Sequence, residues 1–267
     1  MAYTDTLNSD QLNNISIIRA EMERKGITNP HSQAALLAIV SKESSFMPKR
    51  ENMNYSAGRI QEVWTGIGPA KAKELAYNPQ KLANYVYVQK PLGYRTNAYG
   101  NTGANDGWRF RGGGFNQLTF KDSFKKMGDQ IGEPLGTKPE LIENPNVAAK
   151  ASVQFFLNRF KSLKDKGKLQ AYGGAKDIND FSDSRNAVLA FYHANTGAGK
   201  DVSTIKNKAK GDSLGGMKRA LDRVPSLYEL MKTTYTLAKK NPIPTAIITS
   251  LLMVSSFVLY KLVIKKK

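Results

Sequence analysis

Residues Leu36–Ser45 read LLAIVSKESS: an apolar run leads straight into an acidic residue. The run belongs to a helix predicted from about Pro30 to Lys42. Pro30 suits a first turn, and Ala34, Leu37, Val40 and Ser41 fall near one face. Glu43 then lies at or just past the helix's C-terminal end. A carboxyl placed there sits at the edge of a hydrophobic core. Partial burial favours its neutral form, which a general acid needs near neutral pH. Lys42 beside it favours the ionised form and suits an acid only by pointing away. A lone Glu at a helix end is ordinarily a solvated residue, so the surrounding sequence has to decide.

On the N-terminal side, Ser9 to Lys25 reads as an amphipathic helix, capped by Ser9 or Asp10 and ended by Gly26. Leu12, Ile15, Ile18 and Met22 form its apolar stripe. Helical periodicity returns at Thr119–Met127, Val147–Phe160 and Arg185–His193. Tyr94 to Gly114 is rich in Gly, Asn and Thr and reads as loop with a short hairpin. Tyr85 and Tyr87 alternate with Val86 and Val88, and Tyr87 is a candidate for lining a cleft. The fold class expected is mainly α, with one irregular Gly-rich insertion.

Composition narrows the chemistry. The chain of 267 residues has 40% apolar residues, enough for a sizeable core. It has no cysteine, which excludes disulfides, thiolate nucleophiles and Cys-ligated metals. It has two histidines, His31 and His193, too few for a His-based metal site. Both read as structural, and no cofactor is expected. The formal charge of +18 favours polyanionic partners, but the basic residues are spread out and no long block marks a nucleic-acid arm. The N-terminal MAYTDTLNSDQ has no charged-then-apolar pattern of a secretory signal. The C-terminus differs: Asn241 to Tyr260 carries no charge, then come Lys261, Leu262-Val263-Ile264 and three lysines. Roughly 20 apolar residues cross a bilayer as helix, so residues 239–267 are expected to be a transmembrane anchor with basic flanks, meeting the lipid bilayer through 241–264. Residues 1–238 form the remaining domain.

Glu43 has a candidate partner in Glu51, within RENMNYS. Glycoside hydrolysis needs one protonated carboxyl to release the leaving oxygen and one ionised carboxylate to activate water. Arg50 beside Glu51 favours ionisation, which suits a base. Downstream lies DGWRFRGGGFNQLTFKDSF, residues 106–124. Gly112–Gly114 let backbone approach a substrate closely. Trp108 and Phe110 offer flat faces for sugar rings, and Asn116, Gln117 and Thr119 offer amides and a hydroxyl to a neutral polar ligand. The Gly run lacks the Gly-Lys-Ser/Thr ending of a phosphate loop.

In order, KESSF, ENMNYSAGRIQEVW, NPQKLANYVY and YGNTGANDGWRFRGGGFNQLTFKDSF resemble glycoside hydrolase family 19, which includes chitinases and many phage endolysins. The resemblance covers roughly residues 30–200. It implies a lysozyme-like helical fold and metal-free, inverting cleavage of β-1,4 links to N-acetylhexosamines. By position it implies Glu43 as the acid and Glu51 as the second carboxylate, with Glu62 of RIQEVW as the alternative. It implies Gln117 as a sugar contact, Thr119 as a holder of the attacking water and Asn195 of FYHANTGAG as a substrate contact. Three positions depart from the family pattern: Lys42 replaces a His, Gly113 an Arg between the glycines, and Asn116 an Ile.

The expected activity is therefore cleavage of the peptidoglycan glycan strand by a lytic or virion-associated phage enzyme, anchored in a virion or host-cell membrane. The alternatives are a chitinase and a non-catalytic glycan-binding or structural virion membrane protein.

Overall fold

The computed structural model describes residues 2–88, 99–197, 199–208 and 215–240, with side chains given to residue 233. It separates into two compact units: Met1–Phe46 with Phe155–Lys267, and Met47–Gln154.

The first unit is organised on a helix that the sequence caps at both ends. Helix α1 spans Ser9–Arg24 and α2 spans Pro30–Ser44. Asn8, not Ser9 or Asp10, caps α1 in a capping box with Gln11. For α2, Asn29 accepts from the N–H groups of His31 and Ser32, and Pro30 takes the first position, where a missing N–H costs nothing. Every residue from Ser32 to Ser41 is buried, so α2 has no solvent face along that stretch. The single apolar face expected from the sequence is widened because α2 packs against three helices: α1, α9 (Ser184–Thr196) and α11 (Gly215–Lys240). The small residues Ala34, Ala35 and Ala38 are fully buried among them.

The end of α2 is fixed by strain. Ser45 and Phe46 both take left-handed backbone conformations, φ 51° and 60°. Such conformations persist where the surroundings over-determine them, and here they do. Phe46 is fully buried, Gln11 donates to the Ser45 carbonyl at 2.9 Å and Asn14 to the Phe46 carbonyl at 2.7 Å. This unit also holds the C-terminal part of α8 (Pro145–Asp165), α10 (Val202–Lys208), which packs on α9, and short 3-10 turns at Tyr3–Thr6 and Leu169–Ala171.

The second unit carries four short helices, α3 (Ala57–Val63), α4 (Pro69–Leu75), α5 (Pro79–Val88) and α6 (Asp106–Arg109), then α7 (Lys121–Ile131). Ile60, Trp64, Ile67, Leu75, Leu82 and Val86 form one buried cluster, against which Tyr87 and Trp108 pack. The alternation at Tyr85–Val88 is helical, since Leu82, Ala83 and Val86 are the buried positions of α5. Phe110 to Phe120 folds back on itself: Gly113 and Leu118 exchange backbone hydrogen bonds, and Phe120 N–H reaches the Phe110 carbonyl at 2.9 Å. This single bridge lies at the end of and beyond the 94–114 stretch expected as loop with a short hairpin, and within that stretch Asp106–Arg109 is helical instead. Phe110 is fully buried and offers no face to a sugar, contrary to expectation.

Among the described residues no helix is long and apolar enough to cross a membrane. The anchor expected in residues 241–264 lies outside the described residues.

Candidate active site

In the first unit Glu43 lies in the last turn of α2, with its side chain a quarter exposed. Lys42 does not point away: its ammonium pairs with Glu43 Oε1. Asn195, near the end of α9, donates its amide N–H to the same oxygen at 2.8 Å. Glu43 and Asn195, 152 residues apart in sequence, are thus brought together by the packing of α2 on α9. Lys42 also lies 5.6 Å from the centre of the Tyr192 ring, a contact that depends on the packing of α2 against α9.

His193, two residues before Asn195, is fully buried. Its Nδ1 pairs with the Tyr172 hydroxyl at 2.8 Å and its Nε2 with the Lys200 carbonyl at 3.0 Å. Burial pushes the His193 pKa below the usual imidazole range and that of Tyr172 above the usual phenol range. His31 pairs with Ser184 at 2.9 Å and stacks on the Tyr228 ring. Both histidines serve packing.

In the second unit Glu51 is tied at three points. The Tyr87 hydroxyl donates to its Oε2 at 2.8 Å, its N–H reaches the Gly112 carbonyl at 2.7 Å, and its carbonyl accepts from Arg111 Nε at 3.2 Å. Tyr87 is held edge-on to Phe120. Arg111 also donates to the Trp108 carbonyl and lays its guanidinium 3.5 Å from the centre of the Trp108 ring. One Trp108 face therefore already carries a cation, and stacking a sugar there requires displacing it. Burial lowers the Arg111 pKa, with Glu143 and Glu51 opposing.

Gln117 takes a left-handed φ of 54°. Its amide donates to the carbonyls of Lys49 and Gly114 at 3.2 and 3.3 Å, and Thr119 donates its hydroxyl to the Gln117 carbonyl at 2.9 Å. Both side chains thus serve the loop itself. Asn116 accepts from the Ser152 hydroxyl, and its buried amide nitrogen has no hydrogen-bond partner. Glu62, the alternative second carboxylate, is largely exposed and paired with Arg59 at 2.7 Å.

The departure at Gly113 has a physical counterpart. A Cβ there would stand 2.8 Å from Ile142 and 3.0 Å from Arg50 Cδ. Arg50 occupies that space, donating to the Pro139 and Arg109 carbonyls and lying over the Phe124 ring. Burial, helped by the nearby Arg111, lowers the Arg50 pKa to about 10. Neither role of Arg50 and Arg111 was readable from sequence, because their partners are carbonyls and rings brought in by the hairpin. No group of His, Asp and Glu suited to a metal ion occurs among the described residues.

No family model matches the chain. A glycosyl hydrolase family 19 domain-containing protein of Haemophilus influenzae is 30% identical over 150 residues, covering 52% of this chain and 68% of that protein. With that share of the relative covered, and the mainly helical architecture described above, the chain belongs to glycosyl hydrolase family 19.

Proposed function

We propose that this protein hydrolyses β-1,4 bonds of the peptidoglycan glycan strand with inversion, Glu43 acting as general acid and Glu51 as general base. The observation that carries the reading is the setting of Glu43: a carboxyl at the strained end of a buried helix, with one oxygen accepting from Asn195. The Lys42 ion pair on that same oxygen favours the ionised form and works against the acid role. Glu43 protonates the glycosidic oxygen as the bond to the anomeric carbon breaks. Glu51, its Oε2 oriented by Tyr87, takes a proton from the attacking water. Glu51 is preferred to Glu62 because Glu62 is spent on an exposed ion pair. Gln117, Thr119, Asn116, Trp108, Tyr87 and Asn195 are assigned to the glycan, the first two once sugar replaces their loop contacts.

The net charge of +18 favours a glycan whose peptides carry carboxylates over neutral chitin. Residues 241–264 are assigned as an anchor in a virion or host membrane, on their lack of charge to Tyr260 and the lysines beyond.

The test is release of reducing ends from purified peptidoglycan and from chitin. The full chain is expected to cut peptidoglycan, and Glu43→Gln to lose about a thousandfold. Full activity in Glu43→Gln removes the acid assignment; cutting of chitin alone moves the substrate; no cutting of either leaves glycan binding. Proton NMR of the first-formed anomer checks inversion. Vesicle flotation with and without residues 241–267 checks the anchor.

A further inference from the structure

We infer that the first turn of α11, at Gly216, is a positioning element for Glu43 that acts through Lys42. This rests on Glu43 being the acid. The Lys42 ammonium and the Asn195 amide both converge on Glu43 Oε1, and among the described residues no hydrogen bond or ion pair is made to Oε2. Oε1 is thereby fixed, which leaves Oε2 as the oxygen from which Glu43, acting as the acid, would deliver a proton. As Oε2 gives that proton to the glycosidic oxygen, the bond to the anomeric carbon breaks and its electron pair stays on the leaving oxygen. Glu43 is left as a carboxylate. The ammonium of Lys42 lies against that negative charge as it develops, the arrangement that lowers a barrier without lowering substrate affinity.

Lys42 can do this only on one path. Its side chain is 14% exposed and reaches Glu43 between the Tyr192 ring and α11. A Cβ on Gly216 would stand 2.7 Å from Lys42 Cδ and 3.1 Å from Nζ. The lysine stem therefore runs where any side chain at residue 216 would be. Arg223 of α11, which also reaches α2, is committed to Ser41 at 3.1 Å and lies over the Tyr3 ring. Helix formation gives no reason for a glycine at 216, since alanine is the better helix former. Passage for Lys42 does. Because a lysine stem is the flexible partner in that clash, an added methyl group displaces Lys42 rather than the backbone.

The experiment uses the full chain with Gly216→Ala, Lys42→Gln and the double variant, measuring kcat, KM and the thermal midpoint. Lys42→Gln is chosen because its neutral N–H keeps activity measurable. Gly216→Ala is expected to lower kcat about tenfold, with KM little changed and the midpoint equal or higher. In the Lys42→Gln background the same substitution adds no further loss, because its effect runs through the lysine. Full kcat in Gly216→Ala overturns the inference. So does an added loss in the double variant, or a lowered midpoint accompanying the lost kcat. Glu43→Gln run in parallel separates the two claims. If it stays active, the acid assignment has failed; if it is dead while Gly216→Ala is unaffected, only the positioning role has failed.

Discussion

Glu43 and Glu51 are held by different kinds of structure. Glu43 rides on a helix buried without interruption from Ser32 to Ser41 and stopped by two left-handed residues. Glu51 sits on irregular chain, held by one phenol and two backbone ties. The first carboxyl is positioned by core packing, which fails cooperatively. The second is positioned by discrete polar contacts, which can be removed one at a time. The place of Glu43 is thus a matter of stability and that of Glu51 a matter of individual hydrogen bonds.

That contrast can be broken most forcefully at Phe46. Phe46→Ala empties a fully buried site behind the helix end and is expected to cost about 3–5 kcal/mol, read by urea unfolding. A cost under about 1 kcal/mol would mean that the end of α2 is not held by packing. Next, Glu51→Gln is expected to lower kcat about a hundredfold while leaving unfolding unchanged, and Glu62→Gln to do neither. The reverse pattern would hand the second carboxylate to Glu62. Tyr87→Phe removes one donor from Glu51 and is expected to lower kcat about fivefold, roughly 1 kcal/mol. An unchanged rate would show that the phenol does not orient the base.

The smallest effect concerns pH. The folded-state pKa of His193 lies below its ordinary value of 6.5, through burial. Below about pH 6.5 the unfolded chain therefore binds a proton that the folded chain refuses. Stability is fully present above that pH and falls as the pH drops towards the folded pKa. His31, shifted the same way by burial, adds to the slope. The thermal midpoint is expected to fall between pH 7 and pH 5, and His193→Asn to flatten that fall while lowering the midpoint at pH 7. A slope unchanged by the substitution would assign the loss to other groups.

The long helices were legible because capping residues and apolar spacing agree over several turns, as at Pro30–Ser44 and Ser184–Thr196. Helices α3 and α4, of seven residues each, were not, since so short a run shows no clear period. Helix α11 escaped because Gly215, Gly216 and Pro225 read as breakers. Gly216 lies against Lys42 of a neighbouring helix, which local sequence does not reveal. At the site, Glu43, Glu51 and Asn195 were singled out mainly by the family resemblance, and the structure brings Glu43 and Asn195 together. Which group each one touches did not follow, because Tyr87, Arg111 and Lys42 approach through tertiary packing. Trp108 shows the limit most clearly. An aromatic suited to a sugar is equally suited to a guanidinium, and the structure gives one of its faces to Arg111.

The uninterrupted burial of α2 also sets a time order on how the molecule opens. Amides shielded on every side exchange with deuterium only in the rarest, most global fluctuations. Residues Ser32–Ser41 should accordingly be the last to take up label, after the exposed loops and frayed ends have been labelled many times over. Glu43 is attached to the part of the chain that lets go last, so the surrounding loops can open many times over while its carboxyl keeps its address.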